Sequence, residues 1–121
     1  MAKILVVDDS STVRDEVANF LKNNGFDVAT AIDGKDGLAK IKTDTGIRLI
    51  ISDVNMPNLD GLSMAEKIRK ELGNSSVNII MLTTESSPSM KERGKAAGIK
   101  GWIVKPFKGD MVLESLKKLA A

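Results

Sequence analysis

Three aspartates, a threonine and a lysine stand directly after, or at the end of, short apolar runs in this chain. Asp8-Asp9 follow Ile4–Val7, Asp53 closes Leu49-Ile50-Ile51-Ser52, Thr83 follows Ile79–Leu82, and Lys105-Pro106 follow Ile103-Val104. If those runs are strands of one sheet, their ends bring three carboxylates, a hydroxyl and an ammonium to a single rim. Two like charges about 4 Å apart repel by roughly 4 kcal/mol at an effective dielectric near 20. Three carboxylates beside one lysine therefore need further positive charge or a raised pKa. A hard divalent cation with oxygen ligands meets that need. Magnesium, which takes a few carboxylates and keeps several waters, suits the set better than calcium, which wants six to eight oxygens.

A carboxylate beside such an ion can attack phosphorus and form an aspartyl-phosphate. That chemistry depends mostly on positioning and on neutralising oxygens, which a metal, an ammonium and a hydroxyl can do. Asp53, on the central run between the other groups, is the candidate nucleophile. Asp9 is placed as a direct metal ligand, Asp8 as the group that orients the metal's waters, and the Asn55 backbone carbonyl as a further ligand. Lys105 is placed to pair with one phosphoryl oxygen and Thr83 to donate a hydrogen bond to another. Each residue also has a plainer reading. Asp9, Ser10 or Ser11 can cap the first helix, Asp53 can begin a turn into Pro57, Thr83 can bond local backbone, and Lys105 can be a solvated loop lysine. The set as a whole is what favours the chemical reading.

The elements that must hold these groups alternate regularly. Strands are expected over Lys3–Val7, Phe26–Thr30, Arg48–Asp53, Val77–Leu82 and Gly101–Val104, with helices near 11–24, 35–43, 62–72, 88–97 and 109–119. Val13, Val17, Phe20 and Leu21 form one helical stripe, and Val112, Leu113, Leu116 and Leu119 another. Asn24-Gly25 and Ala97-Gly98 are plausible helix stops, and Ser87-Pro88 reads as a cap followed by proline in the first turn. Regular βα alternation argues for an α/β fold: a doubly wound five-stranded parallel sheet with five helices on its two faces. Continuous runs such as Ile4–Val7 and Ile79–Leu82 suit strands buried on both faces, whereas the mixed Phe26–Thr30 suits an edge. A 2-1-3-4-5 order satisfies this, with a ligand crevice beyond the carboxyl ends of the first and third strands.

The composition narrows the chemistry further. At 121 residues with 42% apolar and 28% charged residues, the chain is expected to be a single domain, 1–121. It has no cysteine and no histidine, which removes disulfides, thiolate zinc sites, thiol nucleophiles and the usual general base. The net charge is +2 with basic and acidic residues interleaved, so no nucleic-acid footprint is read. No apolar run is long enough for a signal peptide or a membrane span, and a cytoplasmic monomer is expected.

The strings ILVVDDSSTVR, ISDVNMPNLDGL, NIIMLTTE and GWIVKPF resemble the response-regulator receiver domain of the chemotaxis (CheY-like) type, with the flavodoxin-like sheet order, from about Lys3 to Leu119. The resemblance implies that Asp53 is the phosphorylation site and that Asp8, Asp9, Asp53 and Asn55 surround magnesium. It implies phosphoryl-contacting roles for Thr83 and Lys105 and a cis Lys105-Pro106 bond. It also implies that Thr83 and the aromatic at position 102 form the switch, and that Asn55 and Glu85 flank the water path for dephosphorylation. Trp102 stands where chemotaxis proteins commonly have tyrosine, and the segment Pro88–Lys95 is unusually charged, with Gly94 inside a helix.

The implied donor is a phosphohistidine on a separate histidine kinase. The implied target is the flagellar motor switch protein, with a phosphatase as a further partner. A phosphorelay intermediate, or the regulator of another protein target, is the alternative. The only catalysis expected is of the chain's own phosphorylation and dephosphorylation. A haloacid-dehalogenase phosphatase lacks its second acid here, and a flavin site is opposed by the glycine-free acidic loop Asp8–Thr12. No GxxxxGK[ST] string supports a P-loop. A pseudo-receiver would not need the full acidic, hydroxyl and lysine set.

Overall fold

The computed structural model describes residues 2–121. The elements run β1 (Lys3–Val7), α1 (Ser11–Asn23), β2 (Asp27–Ala31), α2 (Gly34–Thr43), β3 (Ile47–Ser52), α3 (Gly61–Lys70), β4 (Asn78–Thr83), α4 (Pro88–Ala96), β5 (Gly101–Val104) and α5 (Gly109–Ala120). The strands are all parallel in the order β2-β1-β3-β4-β5, as the alternation predicts.

Two expected boundaries shift in ways that matter for the rim. β3 ends at Ser52, so Asp53 is the first residue beyond the strand. Its N–H still donates to the Val7 carbonyl at 3.0 Å, which extends the ladder by one bond and fixes the backbone at that point. β4 runs through Thr83, so the threonine is the last residue of the strand and not the first of the loop. β2 likewise sits one residue later than expected.

Alternate strand residues feed two cores. Leu5, Val7, Ile50, Ile79 and Met81 pack with Ile41 of α2, and with Leu62, Met64, Ala65 and Ile68 of α3. Ile4, Val6, Leu49, Ile51, Ile80 and Leu82 pack with Val17 and Leu21 of α1 and Leu116 of α5. The helical stripes therefore hold, with one exception: Leu113 is only half-buried and lies outside the α1/α5 core. β1, β3 and β4 are covered on both faces, which is why their sequences are continuous apolar runs.

The caps follow side-chain chemistry. Ser10 caps α1 through the Val13 N–H, Asp33 caps α2 through the Asp36 N–H, and Asp60 caps α3 through the Ser63 N–H. Ser87 caps α4 with Pro88 following, as expected. Gly25 and Gly98 take positive φ (87° and 76°) at the helix ends. Among the described residues no helix is long and apolar enough to cross a membrane.

Helix α4 departs from its neighbours. Within Pro88–Ala96 only Gly94 is buried, while Lys91, Glu92, Arg93 and Lys95 face water. Other contacts hold it in place. Arg93 reaches α3 with Nε 2.9 Å from Glu66 Oε2 and Nη2 2.7 Å from Glu66 Oε1, and Nη2 also donates to Ser63 Oγ at 2.9 Å. Arg69 on α3 donates to the Ala97 carbonyl at 2.9 Å, just past the end of α4, and to the Val77 carbonyl at 2.7 Å before β4. The Trp102 ring lies over Gly94, where a Cβ would come within 2.8 Å of Cζ2.

Candidate functional site

Asp8 and Asp9 leave the end of β1, Asp53 leaves the end of β3, and the neighbouring positions of these two strands meet at the crevice where the strand order reverses. One carboxylate oxygen from each of Asp8, Asp9 and Asp53 lies within 4.8 Å of the other two. Asp8 is 2% and Asp53 8% exposed, whereas Asp9 faces water. The set is thus two sheltered carboxylates with one at the mouth.

Local bonds fix each group. Asp8 Oδ1 accepts from the Ser10 N–H at 2.9 Å, and the Asp8 carbonyl accepts from Arg14 Nη1 at 2.7 Å. Asp53 Oδ1 accepts from the Val54 N–H at 2.7 Å, and Oδ2 accepts from Lys105 Nζ at 3.1 Å. Lys105 Nζ also lies 2.9 Å from Asp8 Oδ2, so the same ammonium pairs with both carboxylates. That buried oxygen has the ammonium as its one partner among the described residues.

Burial, the largest influence, pushes the Asp8 carboxyl up from its ordinary value, and the nearby Asp53 adds to this. The Ser10 N–H and Lys105 oppose it. For Lys105 burial is again the largest single influence and pulls the ammonium down, yet its contacts with Asp8 and Asp53 together outweigh it and hold the pKa above the ordinary value.

A single ammonium thus serves two buried carboxylates, with a third close by. That donor set is made of oxygens alone and is short of positive charge, which is what a hard divalent cation fits. Asp8, Asp9 and Asp53 would hold it. Asn55, exposed two residues after Asp53, stands on the same loop.

Two contacts hold the segment that carries Lys105. Its N–H donates to the Thr83 carbonyl at 3.0 Å, tying the end of β5 to that of β4. The Lys105-Pro106 bond is cis, as expected. Phe107 packs edge-on against Phe20 of α1, with ring centres 5.5 Å apart and planes at 75°. Thr83 is buried at 2%, and its Oγ1 accepts from the Glu85 N–H at 3.2 Å. Its hydroxyl proton is therefore left for another acceptor. Glu85 itself is exposed on the loop after β4.

Trp102 pairs in register with Met81, two residues before Thr83 on β4, and packs half-buried on the same side of the sheet. The rim thus brings together Asp8, Asp9, Asp53 and Lys105, with Thr83 at the next strand end. Trp102 lies beneath the rim on β5, against α4.

One positioning residue, Gly61, carries no obvious chemical signature. Gly61 admits no side chain, because a Cβ would fall 2.1 Å from the Asp53 carbonyl oxygen. Its N–H donates to the Val54 carbonyl at 2.9 Å and closes the loop behind Asp53. The Asp60-Gly61 pair is visible in the sequence, but the close approach that requires glycine is not.

Residues 4–117 match the response regulator receiver domain family. The chain belongs to that family. As a receiver it is 38% identical over 115 residues to Protein PilG of Pseudomonas aeruginosa, across 95% of this chain and 84% of that protein. In fold this receiver is similar to chemotaxis protein CheY4 of Vibrio cholerae, with a TM-score of 0.90 and 43% identity over 98% of both chains. It is also similar to response regulator protein TrrA of Thermotoga maritima in complex with Mg2+-BeF, with a TM-score of 0.86 and 34% identity, covering 98% of this chain and 99% of that one. Receivers of this family belong to two-component systems, and this one has CheY-like chemotaxis proteins among its homologues.

Proposed function

We propose that the receiver accepts a phosphoryl group on Asp53 from a phosphohistidine of a separate histidine kinase, with magnesium held by Asp8, Asp9 and Asp53. The observation that carries this reading is the meeting of three carboxylates within 4.8 Å, with Lys105 3.1 Å from Asp53. Bound magnesium would supply the positive charge that the phosphoryl oxygens need. In the step itself an Asp53 oxygen forms the new P–O bond, the P–N bond to the donor imidazole breaks, and the imidazole leaves with the electron pair. Lys105 then passes from the Asp53 carboxylate to a phosphoryl oxygen, and Thr83 donates its free proton to another. These 121 residues hold no histidine, so the donor in this reading lies outside them, as a phosphohistidine or a small acyl phosphate. Its only catalysis is of its own phosphorylation and hydrolysis, with Asn55 and Glu85 at the mouth, where they orient or admit the attacking water.

Movement of Thr83 toward the phosphoryl group would free space on the face it shares with Trp102, and the indole would turn inward. The readout is a cytoplasmic protein contact. The similarity to the Vibrio cholerae chemotaxis protein favours the flagellar motor switch as target. The charged outer face of α4 keeps a second reading in view, a phosphorelay step or another protein target.

The decisive experiment is intact-mass measurement after incubation with a small acyl phosphate and magnesium. One added phosphoryl group is expected in the wild type and none in Asp53→Asn. Labelling that persists unchanged in the variant would overturn the assignment.

A further inference from the structure

Asn58 and Asp33 join two loops that stand on either side of the acidic strand end. In the order β2-β1-β3, the loop after β2 and the loop after β3 flank the end of β1, where Asp8 and Asp9 sit. Asn58 Nδ2 donates to Asp33 Oδ2 at 2.7 Å across 25 residues of sequence. Asp33 Oδ1 accepts from the Asp36 N–H at 2.8 Å, so one buried carboxylate both caps α2 and receives the neighbouring loop. A backbone bond doubles the link, the Gly34 N–H donating to the Leu59 carbonyl at 3.0 Å. Gly34 permits this approach because a Cβ there would lie 2.3 Å from the same oxygen.

Asn58 also has a φ of 67°, the one positive value outside glycine among the described residues. Asparagine tolerates that region better than most residues, and such a conformation persists where surrounding contacts over-determine it. The segment Val54–Asp60 is thus tied at both ends. At one end Val54 and Gly61 close it behind Asp53, and at the other Asn58 and Leu59 are fastened to the start of α2. Asn55 lies in the span between.

We propose that Asn58 and Asp33 form a positioning pair for the divalent-ion site. By fastening the loop after β3 to the loop after β2, they set where Asp53 and the Asn55 carbonyl stand relative to Asp8 and Asp9. The inference rests on the metal-assisted reading above and adds residues that touch neither the ion nor the phosphoryl group.

Calorimetric titration of metal-free protein with magnesium tests it. Asn58→Asp sets two carboxylates against each other, and magnesium affinity should fall about tenfold or more, the scale of losing a group that orients a ligand. In the double variant Asn58→Asp/Asp33→Asn, the amide and carboxylate change places, the hydrogen bond can re-form, and net charge equals that of the wild type. Most of the lost affinity should return. Asn58→Gly keeps a residue suited to positive φ but removes the amide. It should lose affinity with the metal-free melting temperature close to wild type, which separates positioning from folding. Wild-type affinity in Asn58→Gly, or a double variant no better than Asn58→Asp, would overturn the pairing alone. A wild type that takes up no magnesium would overturn the metal reading itself, and the pairing with it.

Discussion

Asp8 is the residue where burial and charge conflict most directly. Its carboxyl is held above the ordinary range chiefly by burial, so the folded chain binds that proton more tightly than the unfolded one. For an acid shifted in this direction, ionised Asp8 opposes folding at neutral pH. The opposition fades as pH falls through the raised folded value toward the unfolded one. In metal-free protein, Asp8→Asn keeps an oxygen for the Ser10 N–H and removes the buried charge. The variant should be more stable than wild type near neutral pH, by on the order of 1 kcal/mol, with the gap closing in mildly acidic buffer. Urea unfolding at the two pH values measures this. A variant less stable than wild type by the same amount at both would mean that the Lys105 contact outweighs the burial of Asp8.

At the scale of elements, α4 is held by its neighbours more than by an apolar face of its own. Gly94 is the one buried residue of the helix, and the Trp102 ring occupies the space its missing side chain leaves. Alanine is favoured over glycine within a helix by about 1 kcal/mol, whereas overpacking a filled contact costs typically 1–3 kcal/mol. A Cβ at position 94 would lie 2.8 Å from the indole and 3.2 Å from Ile99, so the overpacking term should win. Gly94→Ala should lower the melting temperature and shift the emission of Trp102, the only tryptophan, without any phosphorylation. A higher melting temperature with unchanged emission would show that the ring is not seated on the helix.

For the whole molecule, the acidic rim links metal binding to stability. A cation that binds only the folded chain stabilises it by RT ln(1 + [L]/Kd), about 2.7 kcal/mol at a hundred times Kd. Magnesium should therefore raise the melting temperature of wild type in a concentration-dependent way, and much less in Asp9→Ala at the same concentrations. Asp9 is the water-facing member of the three carboxylates and its side chain has no hydrogen bond or ion pair among the described residues, so its loss should act on the metal and not on the core. Equal magnesium-dependent shifts in the two proteins would remove Asp9 from the site.

Much of this molecule is legible in its sequence. The apolar runs of β1, β3 and β4 and the capping residues Ser10 and Ser87 fix local structure through burial and backbone bonding. Those effects act between residues near in sequence, so their pattern is written there. The types and order of Asp8, Asp9, Asp53, Thr83 and Lys105 likewise restrict the rim to oxygen, metal and phosphoryl chemistry. Tertiary structure decided the rest. Only the packed sheet places one lysine between Asp8 and Asp53 and brings Asn58 to Asp33 across 25 residues. It alone shows why residue 61 must be glycine behind Asp53 and residue 94 glycine under Trp102. These are contacts between groups distant along the chain. No local periodicity records them, because they come from how helices and strands settle against one another and not from what each prefers alone.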